Sequence, residues 1–94
     1  MDIAKESLPT FIAGQGTVGL NEIPLCITQP INKFVVVKAD PGNLNWIMVG
    51  RRGAAHDGFP LLANEQTPPI YVETTDAIGL VAGGPDQHFS FLLS

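Results

Sequence analysis

The sequence predicts an all-β fold: a small antiparallel β-sandwich, jelly-roll-like, of about seven or eight short strands. Three observations predict it. Ten glycines and eight prolines break the 94-residue chain at short intervals. The runs between them are rich in Val, Ile, Phe, Thr and Leu, the side chains that fit a pleated surface. Helical periodicity has nowhere to sit, because the longest stretch free of Gly and Pro, residues 31–40, is crowded with β-branched residues.

The elements follow in order. Residues 1–9 form an N-terminal arm, with Pro9 disfavouring helix at Leu8, and residues 10–94 form one domain. Residues 10–20 make a first strand interrupted by Gly14 and Gly16, read as an edge strand with a bulge, since glycine in a strand marks a bulge or a close approach. Residues 22–28 make a second. Residues 33–39, Lys-Phe-Val-Val-Val-Lys-Ala, make the strongest, expected at the centre of the core with Val36 buried. It ends at Asp40-Pro41-Gly42-Asn43, where Pro presets one turn dihedral and Gly accepts the next. Residues 45–49 follow, closed by Gly50, with Trp46 packed in the core or an interface. Residues 58–62 form a short strand. Residues 69–74 form another, with Ile70 and Val72 on one face. Residues 77–82 lead to the turn Gly83-Gly84-Pro85-Asp86. In the last strand, 88–93, Phe89, Phe91 and Leu93 alternate with His88, Ser90 and Leu92.

Composition bounds the function. A chain this short buries only about 60–65% of its unfolded surface, so its core is thin and association adds stability. Hydrophobic residues make up 45% and charged residues 15%. The charged share is below the usual quarter, which favours an oligomer or a docked subunit. Five basic against nine acidic residues give a net charge of −4. That balance argues against nucleic acid, which needs clustered Lys and Arg. The only basic pair, Arg51-Arg52, is too small to track a phosphate backbone but is a candidate for partner binding. One cysteine, Cys26, excludes an internal disulfide and a Cys-based zinc site. It is expected as a buried, inert thiol within Ile23-Pro24-Leu25-Cys26-Ile27. The polar start, Met1-Asp2-Ile3-Ala4-Lys5-Glu6, is unlike a secretory leader. No apolar run approaches the roughly 20 residues of a membrane span. The expectation is a soluble protein made in a cytoplasm, with no membrane partner.

The motifs point away from catalysis. Gly14-Gln15-Gly16-Thr17-Val18-Gly19 fits G-x-G-x-x-G, and Asp40 lies downstream where a ribose contact would be. That fingerprint works only when its third glycine opens a helix holding a pyrophosphate, and Pro24 and Pro30 deny the helix. No nucleotide or other cofactor is expected. His56 and His88 read as surface loop or strand-start residues, and Ser7, Ser90 and Ser94 lack a nucleophile-elbow context. A metal site from His56, Asp57 and His88 has no supporting ligand spacing. Asp40, Asp57, Asp76 and Asp86 sit in turns, where Asp bonds nearby amides. Asp40-Pro41-Gly42-Asn43-Leu44-Asn45 is a poor calcium loop, with a proline and no downstream acid. Trp46 and Tyr71 could stack on a sugar.

Phe34-Val35-Val36-Val37-Lys38-Ala39-Asp40-Pro41-Gly42-Asn43 is followed by Trp46-Ile47-Met48-Val49-Gly50, then Gly58-Phe59-Pro60-Leu61, then Ile70-Tyr71-Val72. Ala77-Ile78-Gly79-Leu80-Val81-Ala82-Gly83-Gly84 and an aromatic strand end the chain. This succession, over roughly residues 33–83, resembles small β-sandwich proteins of phage and prophage structural gene clusters. Leu62-Ala63-Asn64-Glu65 and the prolines 68 and 69 depart from that pattern. The resemblance implies a non-enzymatic virion protein, as an accessory capsid decoration (cement) subunit on the major capsid protein, or a head- or tail-fibre or baseplate component. A carbohydrate-binding attachment module is the reading from a different class. The implied partners are another virion protein and further copies of the chain. Ile3 and Leu8 are the expected apolar anchors of the arm, alongside Arg51 and Arg52.

Overall fold

In a computed structural model of the chain, residues 12–26, 28–31 and 33–94 are described. They form seven strands and no α-helix: β1 (Ile12–Val18), β2 (Ile23–Pro24), β3 (Val35–Ala39), β4 (Ile47–Arg51), β5 (Phe59–Leu61), β6 (Ile78–Ala82) and β7 (Gln87–Leu93). Two 3₁₀ turns, Ala55–Asp57 and Thr75–Ala77, precede β5 and β6. The strands make two antiparallel sheets, a three-stranded one in the order β1-β7-β3 and a four-stranded one in the order β2-β6-β4-β5. One hydrophobic cluster draws on both, with Val35, Val37, Phe89, Phe91 and Leu93 from the first meeting Ile47, Val49, Leu61, Ile78 and Leu80 from the second. The all-β sandwich is therefore the architecture. The described strands do not establish a jelly-roll connectivity, so the coarser description is the one that holds.

Alternation fixes which residues face this core. In β7, Gln87, Phe89, Phe91 and Leu93 are buried while His88 and Leu92 are exposed. In β3, Val35, Val37 and Ala39 are buried, and Val36 and Lys38 lie half-buried on the outer face. Val36 is thus not a core residue, contrary to expectation. Three consecutive valines carry no alternation, and only pairing with β7 decides their faces.

The glycines of β1 have a packing explanation. Gly14 stands opposite Phe91 and Gly16 opposite Phe89 in an unbroken register with no bulge. A Cβ at Gly14 would come within 2.5 Å of the Phe91 ring, and one at Gly16 within 2.5 Å of the Phe89 ring. The two rings lie across the strand backbone where side chains would stand, the arrangement in which an aromatic covers a cross-strand glycine. The G-x-G-x-x-G match is used for this, with no helix after it.

Three expectations are corrected. Residues 69–74 are not a strand. Pro68 and Pro69 have no N–H to give a ladder, and only isolated bridges, Val35 with Ile70 and Pro30 with Thr74, remain. Ile70 and Val72 still pack against the core from this irregular segment. The second strand shrinks to Ile23–Pro24, because proline supplies no donor. β4 is not closed by Gly50 but runs through it to Arg51.

Candidate functional site

The most organised surface is the 40–46 loop joining β3 to β4. Asp40 Oδ2 accepts from the Gly42 N–H at 2.9 Å, and the Asn43 N–H donates to Asp40 O at 3.1 Å. This is the turn that Asp-Pro-Gly-Asn predicts. Asn43 then treats His88 as a strand neighbour: its Nδ2 donates to His88 O at 2.8 Å and its Oδ1 accepts from His88 N at 2.8 Å. The buried Gln87 completes the clamp. Its Oε1 accepts from the N–H groups of Leu44 at 3.0 Å and Asn45 at 2.8 Å, and its Nε2 donates to Pro85 O at 2.7 Å. A buried amide with its polar atoms paired is a rigid fixture, because releasing any bond leaves a desolvated group unmatched.

This clamp holds Leu44 in water, and Leu62 joins it from the turn after β5, where its N–H donates to Glu65 Oε1 at 2.7 Å. Leu44 is 92% exposed, Leu62 is 60% and Trp46 is 39%. Of the two settings expected for Trp46, core or interface, its exposure leaves the interface. Its indole lies against Gly83, where a Cβ would meet Cε2 at 2.5 Å. Leu44, Trp46, Leu62 and Ala63 line one shallow hollow of about 320 Å³, edged by Asn43 and Asn45. An apolar centre on a pre-ordered loop with a polar edge is the anatomy of a protein–protein contact. The sequence did not reveal it, since Gln87 lies some forty residues from the loop it holds. The exposed leucine inside a turn was the available signal.

A second concavity opens between the four-stranded sheet and the 67–72 segment. It is a cavity of about 460 Å³ with Val49, Phe59, Ile70, Val72 and Ile78 in its wall and Arg51 at its edge. Arg51 is exposed and has no ion pair among the described residues. Arg52 is engaged differently. Its guanidinium pairs with Glu22. Glu22 Oε2 also accepts from the Gly53 N–H at 2.7 Å and Oε1 from the Ala55 N–H at 2.8 Å. The Ala55 and Gly53 amides, then Arg52, hold the Glu22 carboxyl below the usual carboxylate range. The basic pair is thus split, Arg52 joined to Glu22 at the turn after β4 and Arg51 lining the cavity. Ile3 and Leu8 lie outside the described residues.

The other candidates are not gathered. His56 Nε2 sits 3.5 Å from Asp57 Oδ2, both exposed. His88 Nδ1 is 3.3 Å from Thr17 Oγ1 on the outer face of the three-stranded sheet. Among the described residues no three His, Cys, Asp or Glu side chains converge as metal ligands. Trp46 and Tyr71 sit by opposite ends of β3: Tyr71 follows Ile70, which bonds Val35, while the Trp46 loop starts at Asp40. Those ends are roughly 13 Å apart at the rise of a strand. Cys26 is half-buried against the core.

No family model matches this chain, and neither the curated proteins nor the solved structures compared with it contain a match.

Proposed function

We propose that this domain is a non-enzymatic virion structural protein, an accessory capsid subunit that binds the major capsid lattice through the Leu44–Trp46–Leu62 patch and acts on the particle alongside further copies of itself. The observation that carries the reading is the clamped loop. Gln87 and Asn43 fix a loop that keeps Leu44 in solvent beside Trp46 and Leu62, which a monomer with no partner does not need. The virion assignment rests on the resemblance of residues 33–83 to phage structural proteins. A fibre or baseplate position uses the same patch against a different neighbour. Sugar binding has less support, because Trp46 and Tyr71 flank opposite ends of β3.

The test is add-back of the purified domain to phage particles that lack it, with bound copies measured by sedimentation. Leu44→Asp and Leu62→Asp change exposed positions and should leave the melting temperature within about 4 °C, since surface changes stay near 0.5 kcal/mol. Each should weaken particle binding about 30-fold, as loss of an interface anchor worth about 2 kcal/mol does. Full occupancy by both variants overturns the patch. Failure of the intact domain to bind any particle, with retention on a glycan array, favours the attachment reading instead.

A further inference from the structure

The two sheets have four edges, and three are closed or short. The outer edge of β3 is covered by the 64–70 segment: Thr67 N donates to Val37 O at 2.8 Å, and Val35 and Ile70 exchange bonds at 3.0 and 2.8 Å. β5 has three residues with Pro60 in the middle, and β2 has two residues, one of them Pro24. The fourth edge, β1, is seven residues long, and among the described residues nothing pairs with its outer side.

The register shows which groups that edge presents. His88 N and O are both taken on the β3 side, by Asn43 and Asp40, and Ser94 likewise exchanges bonds with Phe34. In an antiparallel ladder a residue turns both backbone groups to the same neighbour. The even residues of β7 therefore serve β3, and Gln87, Phe89, Phe91 and Leu93 serve β1. Their partners are Val18, Gly16, Gly14 and Ile12. Ala13, Gln15 and Thr17 are left to point their N–H and C=O groups outward. No residue of β1 is charged, although edges exposed to solvent are ordinarily guarded by charge, proline or bulges.

We propose that β1 pairs antiparallel with β1 of a second copy, about a twofold axis through Gln15, joining two three-stranded sheets into one of six strands. The spacing of the free groups is self-complementary. Gln15 meets Gln15 of the second copy, and Ala13 meets Thr17 on either side, each rung closing two hydrogen bonds. On the core-facing side Gly14 falls opposite Gly16, so no side chains collide there, and the half-exposed Ile12 comes beside Val18. The neutrality of β1 matters because the chain carries a net charge of −4, and this edge is where two copies approach without like charges facing each other. Strand pairing alone buries less than the roughly 1,200 Å² of a stable interface. The contact is therefore weak in solution and gains strength when copies are held side by side on a lattice.

The pairing names one partner of the assembly reading, but it holds whichever particle is decorated, and its test separates the two. The full chain should shift from monomer to dimer between about 10 μM and about 1 mM by light scattering, the range expected of a small interface. Over that range, amide exchange at Ala13, Gln15 and Thr17 should slow as concentration rises. Q15K and Q15E should each stay monomeric, with melting unchanged because position 15 faces solvent. Mixed in equal amounts they should pair again, since only a twofold axis at this residue sets the opposite charges against each other. Both should still bind particles as single subunits if the Leu44 patch docks them. A wild-type monomer at 1 mM, a Q15K dimer, or slow exchange of these amides already at high dilution overturns the pairing and leaves particle binding to stand or fall separately.

Discussion

The two edges of the three-stranded sheet solve the same problem in opposite ways. β3 is a valine strand whose outer backbone is covered by the chain itself, through the buried Thr67, whose N–H bonds Val37 O and whose Oγ1 accepts from the Val37 N–H at 3.0 Å. β1 is a glycine strand whose inner face is filled by its neighbour's Phe rings and whose outer backbone is unpaired among the described residues. The comparison teaches that stability and availability are distributed separately within one sheet. β3 contributes core and is closed, whereas β1 contributes almost no side chains and stays open.

The comparison breaks most visibly at β3. Val37→Asp buries an unpaired charge at a fully enclosed site and should cost about 3–5 kcal/mol, a large share of the stability of a small domain. Val36→Asp, one residue away on the outer face, should cost no more than about 1 kcal/mol. Urea unfolding checks both, and equal losses would mean that the faces of β3 are misassigned. Smaller effects sharpen the contrast between the edges. Thr67→Val strands the Val37 N–H and should cost about 1–3 kcal/mol, with faster amide exchange along β3. Gly16→Ala pushes a methyl into the Phe89 ring and should cost about 1–3 kcal/mol by overpacking, with exchange at β1 and β7 affected instead. If both variants accelerate exchange over the whole sheet alike, the edges are not independent. The smallest effect is at the Glu22 clamp of the other sheet. Its carboxyl is held below its ordinary 4.5. A lowered folded-state pKa gives stability that is present above the unfolded value and lost as pH falls through the folded one. Glu22→Gln should therefore be less stable than wild type at neutral pH, and the gap should close in acid below the carboxylate range. A gap that stays constant with pH would assign the effect to shape and not to charge.

Much of the fold was legible because its strongest signals are local. The alternation in Phe89, Phe91 and Leu93 gave β7 and its faces, and Asp40-Pro41-Gly42-Asn43 gave the turn after β3. Other features depend on partners far away in the chain. Nothing beside Val36 says which valine turns outward until β7 pairs with it. Trp46 could not be assigned between core and interface because Ile47, Met48 and Val49 make its surroundings look like core, while Gln87 draws its loop to the surface. Gly14 and Gly16 resemble a phosphate loop until the two Phe rings are set above them. The 69–74 segment alternates correctly, and Ile70 and Val72 do face the core, but two prolines remove the ladder. The apolar patch was the least legible feature, since an exposed leucine means little until the groups that hold it there are known.

The first strand of the sandwich and its last lie side by side, with Thr17 and His88 in contact across 71 positions of the chain. β7 is the middle of its sheet, so neither β1 nor β3 has a strand to join until residues 87–93 exist. During synthesis, at about 5–20 residues per second, the neutral glycine strand waits for seconds as an unpartnered ribbon. Closing so long a loop also slows the search, as it does for other β-topologies rich in distant pairings. Crowded nascent chains at that stage are exposed to pairing with each other through β1 before they have folded. The same open edge that lets finished subunits meet therefore sets a limit on how fast they can be made together.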